Sequence, residues 1–125
     1  VKGSGEMFAS FQNGNTSAKC SFVNGKRNGT YTRYYSNGKK EFEATYKFGY
    51  YDGLYTEYYE NGNIRIQVNY DNNHKTGIQK EFDQTGKLVK ETPYEIDYIN
   101  GVQKIYSNGT LIQSLTYYYD DTADK

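Results

Sequence analysis

From Ile64 to Tyr70 the chain alternates: Ile64, Ile66, Val68 and Tyr70 are apolar, while Arg65, Gln67 and Asn69 between them are polar. A period of two predicts a strand with one half-buried face, and no 3.6-residue pattern competes with it. The segment before it, GLYTEYYENGN at 53–63, has a near-copy at 29–39, GTYTRYYSNGK. A recurrence at fixed spacing is the mark of a repeat protein, so the chain is read as units.

Gly5, Gly29, Gly53, Gly77 and Gly101 recur every 24 residues. Gly14, Gly38, Gly62 and Gly86 follow nine residues later, and Gly109 follows eight later. A third series, Phe22, Tyr46, Tyr70, Tyr94 and Tyr117, closes each unit. Each unit reads as two strands, with the Asn-Gly pairs marking the turn between them. A three-residue loop such as Ser36-Asn37-Gly38 pairs Tyr34 with Lys40, Tyr58 with Ile64 and Phe82 with Leu88. The shorter fifth unit turns through Asn108-Gly109 alone and pairs Tyr106 with Leu111. Gly25, Gly49, Asn73, Asp97 and Asp120 sit three residues past the closing aromatics, where residues that tolerate positive φ predict a left-handed backbone. The expected fold is all-β: one domain over residues 1–125, forming a single antiparallel sheet of five stacked hairpins, an open meander of about ten strands.

This register is expected to sort the residues onto two faces. The first, taken as the structural face, collects Ala18, Cys20, Phe22, Leu54, Tyr58, Ile64, Ile66, Val68 and Tyr70, then Ile78, Phe82, Leu88, Tyr94, Val102, Tyr106, Leu111, Leu115 and Tyr117. The second carries Met7, Phe11, Tyr31, Tyr35, Tyr55 and Tyr59, with Arg33 and Glu57 among them, but only Gln79, Glu81, Asp83 and Gln103 further on. An aromatic stripe that stops halfway is a candidate contact surface, because tyrosine and arginine are favoured at protein interfaces. Cross-strand ladders that stabilise a thin sheet are the alternative reading of the same tyrosines.

Composition changes the picture in one respect: 18% of the chain is aromatic, with sixteen Tyr and no Trp, while 35% is apolar. That is too aromatic for a disordered chain and too polar for a thick two-layer core. The net charge is zero, without the basic excess of a nucleic-acid-binding domain. The charge is uneven: residues 1–40 hold seven Lys or Arg against one Glu, or +6, and residues 41–125 hold eight against fourteen acids, or −6. Catalytic chemistry finds no foothold. His74 is the single histidine and has no second ligand at metal spacing. Glu41 and Glu43 share a strand face but lack a partner to complete a site, and no helix follows the glycines to make a phosphate loop. Cys20 stands alone and is read as a small apolar residue. No catalytic residue, metal or cofactor is expected, and no apolar run reaches membrane-spanning length.

The pattern Tyr-x-x-Gly-x-x-x-Gly-x-Tyr-x-x-Tyr-Tyr-x-Asn-Gly, intact from Tyr46 to Gly62, resembles the MORN repeat family in its bacterial variant. Units four and five depart from it, with Gln79 and Gln103 at the first Tyr and Asp83 at the second of the paired tyrosines. The resemblance implies an elongated, twisted sheet of stacked hairpins acting as a scaffold or binding module, with relatives that include antitoxins of the YwqK type and envelope or secreted proteins. The expected function is therefore non-catalytic protein binding, as an antitoxin, immunity protein or envelope scaffold, through Tyr31, Arg33, Tyr35, Tyr55, Glu57 and Tyr59. Sugar stacking on the tyrosines and lipid head-group binding are the alternatives. The partner expected is a protein, for example a toxin, and not nucleic acid; membrane contact and end-to-end self-association stay open. Val1 in place of Met is read as processing or trimming, and an envelope or secreted setting is expected ahead of a cytoplasmic one.

Overall fold

A computed structural model describes residues 3–118. It contains no helix among them. The strands are β1 (Gly5–Ser10), β2 (Thr16–Val23), β3 (Lys26–Tyr34), β4 (Lys40–Lys47), β5 (Tyr50–Tyr58) and β6 (Ile64–Asp71). They continue as β7 (His74–Phe82), β8 (Leu88–Glu95), β9 (Tyr98–Ile99), β10 (Gly101–Ser107) and β11 (Thr110–Tyr117). All belong to one sheet in the order β1-β2-β3-β4-β5-β6-β7-β8-β10-β11, with the two-residue β9 also on β8. Every pairing is antiparallel, and all but that of β8 with β10, across the two-residue β9, join neighbours in the chain, as a meander of short turns requires. β9 and β10 stand where one strand was expected, and Asn100 between them donates its N–H to the Pro93 carbonyl at 3.0 Å.

The turns within units are as expected. The Gly38 N–H donates to the Tyr35 carbonyl at 3.0 Å and the Tyr35 N–H to the Lys39 carbonyl at 2.8 Å, closing a three-residue loop with Gly38 at φ 90°. The pairs Tyr34–Lys40, Tyr58–Ile64, Phe82–Leu88 and Tyr106–Leu111 all form. The links between units are two-residue turns. Gly49 has φ 90°, Asn73 73° and Asp97 70°, so the position expected to be left-handed is so. The residue before it is left-handed as well, which includes Phe48 at φ 48° and Ile96 at φ 46°. Two positive φ values in a row match the right-handed twist of the flanking strands. Asp120, the last member of that series, lies outside the described residues.

The expected division into faces does not hold. Between Glu57 and Tyr58 the register shifts: Tyr58 faces Ile64, but Glu57 faces Ile66, so Arg65 is an extra residue. A bulge of this kind reverses the face of everything beyond it. Ile66, Val68 and Tyr70 therefore share a face with Tyr55 and Glu57, and not with Leu54 and Tyr58. Shifts at the equivalent step in the other four hairpins do the same. One face, the tyrosine face, carries Met7, Ala18, Cys20, Phe22, Tyr31, Phe42, Tyr46, Tyr51, Tyr55, Val68 and Tyr70, then Gln79, Thr92, Tyr94, Gln103 and Leu115. The other carries Thr32, Glu43, Thr56, Tyr58, Gln67 and Tyr106. A period of two could not reveal the bulge, because the alternation continues unbroken through Arg65.

Burial follows this corrected division. Ala44, Val68, Thr92, Gln79 and Gln103 are buried on the tyrosine face, and Thr32 and Thr56 on the other. The buried Gln103 donates from Nε2 to the Thr92 hydroxyl at 3.0 Å. A sheet one layer thick buries mainly what adjacent strands can cover.

Repeats are held to one another at both turn edges. The Asn37 side chain accepts the Lys39 N–H at 2.8 Å and donates to the Glu60 carbonyl of the next loop at 3.2 Å. Asn61 repeats this with Asn63 at 2.9 Å and Gln84 at 2.8 Å. At the link edge the Gly49 N–H donates to the Arg27 carbonyl at 2.7 Å, and Asn73 to Tyr51 at 2.8 Å.

Candidate functional site

The tyrosine face becomes a continuous aromatic cluster only across β3 to β6. Tyr31 packs edge-on against Phe42, with centroids 5.4 Å apart, and Phe42 stacks on Tyr55 at 5.9 Å. Tyr46 stacks on Tyr51 at 4.8 Å, and Tyr51 on Tyr70 at 5.0 Å. Tyr55 meets Tyr51 and Tyr70 edge-on, at 6.0 and 5.8 Å. Such pairs contribute about 0.5–1.5 kcal/mol each beyond their area. Arg27 lies over this cluster, its guanidinium 4.5 Å from the Tyr31 centroid and 5.4 Å from that of Tyr46.

A polar group adjoins the rings. The Tyr55 hydroxyl donates to Glu57 at 2.7 Å, and Arg65, the bulge residue, pairs with the other oxygen of the same carboxylate. Burial, and then that bond to a carboxylate, hold the Tyr55 hydroxyl well above the ordinary tyrosine range. The Tyr46 hydroxyl, followed by burial, pushes Tyr51 up to about 12. Beside Glu57 and Arg65 an open hollow of about 610 Å³ is lined by Tyr35, Tyr59, Glu60, Asn61, Arg65 and Gln84.

The six residues expected to act together divide into three pairs. Tyr31 and Tyr55 belong to the ring cluster. Arg33 and Glu57 are on the same face but do not pair: Arg33 Nε lies 4.0 Å from Glu41, and Glu57 is taken by Tyr55 and Arg65. Tyr35 and Tyr59 reach forward one repeat, each hydroxyl donating at 2.7 Å to a backbone carbonyl, that of Tyr58 and that of Phe82. Four ring members, Phe42, Tyr46, Tyr51 and Tyr70, and the arginine above them escaped the sequence reading. The series that closes each unit contains Tyr46 and Tyr70, so the signal was present; the bulge hid which face it served. His74 accepts or donates at Nδ1 with Asp97 at 2.7 Å in a link turn, and no group of three metal-ligating side chains exists among the described residues.

An open sheet of stacked 24-residue hairpins with an aromatic face defines a repeat module rather than a globular domain with an enclosed pocket. A family profile described as MORN repeat variant matches residues 27–48, 51–72 and 75–95, and the chain belongs to that family. The first two of these segments span nearly all of β3–β6, the strands that carry the ring cluster. No curated protein and no solved structure matches the chain.

Proposed function

We propose that this repeat module binds a protein partner through the tyrosine face of its second and third units. The observation that carries the reading is the restriction of the packed ring cluster to β3–β6, with Phe22 and Tyr94 on the same face outside it, although the sheet is built alike throughout. At the positions of Tyr31 and Tyr55 the fourth and fifth units have Gln79 and Gln103, both buried and hydrogen-bonded, so the scaffold does not itself require aromatics there. A partner surface that accepts ring edges and hydroxyls fits this site. Sugar stacking fits less well, because Tyr46, Tyr51 and Tyr70 use their ring faces on one another. In this reading Arg33, free of the cluster, and Glu57, held by Arg65, orient the partner. Tyr35 and Tyr59 rim the adjoining hollow. An antitoxin or immunity role and an envelope scaffold role differ only in which protein is held.

A second reading is favoured by the charge of the first forty residues, +6, with Phe48 and Tyr50 exposed at the adjacent link. It has the basic end resting on an anionic membrane surface.

The deciding experiment compares the wild type with a Tyr31→Ser, Tyr55→Ser double variant, immobilised and exposed to native cell extract, alongside vesicle sedimentation. Aromatic anchors each contribute about 2 kcal/mol or more, so the variant should hold the captured protein about a hundredfold more weakly while remaining folded. Equal capture by both chains rules out the tyrosine face. Sedimentation with anionic vesicles and no protein capture selects the second reading.

A further inference from the structure

Every residue of β1 and every residue of β11 is exposed. Met7 is 59% exposed, Phe8 65% and Leu115 39%, in a sheet whose inner strands bury comparable positions. Among the described residues β1 pairs only with β2, and β11 only with β10, so each turns one row of backbone groups outward. Edge strands are ordinarily blunted by charge, proline or brevity. β11, TLIQSLTY, has no Lys, Arg, Asp, Glu or Pro in eight residues. We infer that β11 of one copy of this chain pairs with β1 of a second copy, which continues the meander head to tail.

Direction, register and charge each favour that occupant. The path from β1 to β11 has ten strands that alternate in direction, so its two ends are antiparallel. A second copy displaced along the sheet therefore presents β1 antiparallel to β11 without being turned round. Register comes from the junctions already inside the molecule. There Cys20 faces Tyr31 and Ala44 faces Tyr55, while Ala18 faces Arg33 and Phe42 faces Glu57. Carried one unit further, and allowing for the residue missing from the fifth turn, the same pattern sets Leu115 against Met7 and Gln113 against Ala9. Two exposed apolar side chains then cover each other on the tyrosine face. As for charge, the first unit, residues 1–28, holds four Lys or Arg against one Glu, or +3, and the last, residues 101–125, holds two Lys against three Asp, or −1. Head-to-tail association brings unlike ends together, whereas pairing through two β1 or two β11 strands brings like ends together. A heterologous contact that does not close produces an open series of copies.

The test is sedimentation velocity on the chain over a concentration series, at low and at high salt. The wild type should show a weight-average mass that rises with concentration and association that weakens with salt, as screening of the opposed ends requires. Leu115→Lys and Met7→Lys should each weaken self-association by about tenfold or more, because an ammonium group would lose water against an apolar neighbour. Mixed together, these two variants should form one-to-one dimers, since one retains an intact β11 and the other an intact β1. Circular dichroism checks that both remain folded. The double variant Met7→Glu, Leu115→Lys, with complementary charges at the junction, should regain association within one chain. A wild type that stays monomeric throughout overturns the inference. So does a single variant that dimerises as well as the wild type, which would mean pairing of like edges, or a mixture of the two that forms no dimer.

Discussion

Ile96 has φ 46°, in the left-handed region that β-branched side chains disfavour most, and its side chain is 57% exposed. Neither burial nor backbone preference supports an isoleucine there. Asn24 and Asn72 occupy the equivalent position of other links, at φ 51° and 50°. Ile96→Asn should therefore stabilise the fold by about 1 kcal/mol, read as a higher denaturant midpoint with an unchanged slope. The neighbouring position gives the converse. Gly49→Val should destabilise by about 1–3 kcal/mol, whereas Gly49→Asn should be much milder. Asn73 shows why: at φ 73° its side chain also accepts the Tyr51 N–H at 2.7 Å, and an asparagine at 49 could accept that of Arg27. Equal losses in the two variants would refute the backbone argument. Titration is read at the same scale. Burial, then the bond to Glu43 at 3.0 Å, pushes the Tyr58 hydroxyl up to about 12. Tyr51 is raised to a similar value. A raised folded value means that the neutral ring is favoured in the fold. Its contribution is complete below the unfolded tyrosine value near 10 and disappears as pH rises through about 12. Stability should thus fall between about pH 10 and about pH 12, with phenolate absorbance appearing later in folded than in unfolded protein.

Hairpins, the next scale up, are joined by side chains that serve two turns at once. Tyr59 closes its own loop through its backbone and donates its hydroxyl to the Phe82 carbonyl of the next hairpin; Tyr35 does the same with Tyr58. In the fourth unit Asp83 takes this position and instead accepts the Thr85 and Lys87 N–H groups of its own loop, at 2.9 and 3.0 Å. The forward staple therefore ends at the third unit. Tyr59→Phe removes the hydroxyl and keeps the ring, so it should lower stability by about 0.5–1.5 kcal/mol without weakening partner binding. A measured loss of binding in Tyr59→Phe, at full fold stability, would place that hydroxyl in the contact surface. The comparison with Tyr31→Ser, Tyr55→Ser separates the two uses of tyrosine that the sequence presents as one stripe.

At the scale of the whole molecule, no second layer exists among the described residues, so each hairpin is supported by its neighbours and little else. The ring cluster lies between β3 and β6, the bonds between loops run through the same region, and β1 and β11 are exposed along their length. Hydrogen exchange should be slowest in β4 to β6 and fastest in β1 and β11, with protection graded between them. Uniform protection across the sheet would mean that the repeats open together. In associated protein the outer strands should gain protection first, which links this measurement to head-to-tail pairing.

Much of this was written into the sequence and some was not. The 24-residue phase of Gly5, Gly29, Gly53, Gly77 and Gly101, the Asn-Gly turns and the strand period determined the repeat, the meander and the cross-hairpin pairs. These depend on residues close in the chain and on backbone preferences that one residue type reveals. Even the missing residue of the fifth loop was legible, since Tyr106 still had to meet Leu111. The faces were decided by the folded sheet. Arg65 and its counterparts are extra residues opposite a single step of the partner strand, and nothing in a period of two distinguishes a bulged residue from an ordinary one. The stacking of Tyr51 on Tyr46 and Tyr70, and the forward reach of Tyr35 and Tyr59, likewise depend on strands brought together across turns. Local preference is carried by each residue alone; which side of a sheet it occupies depends on the whole register.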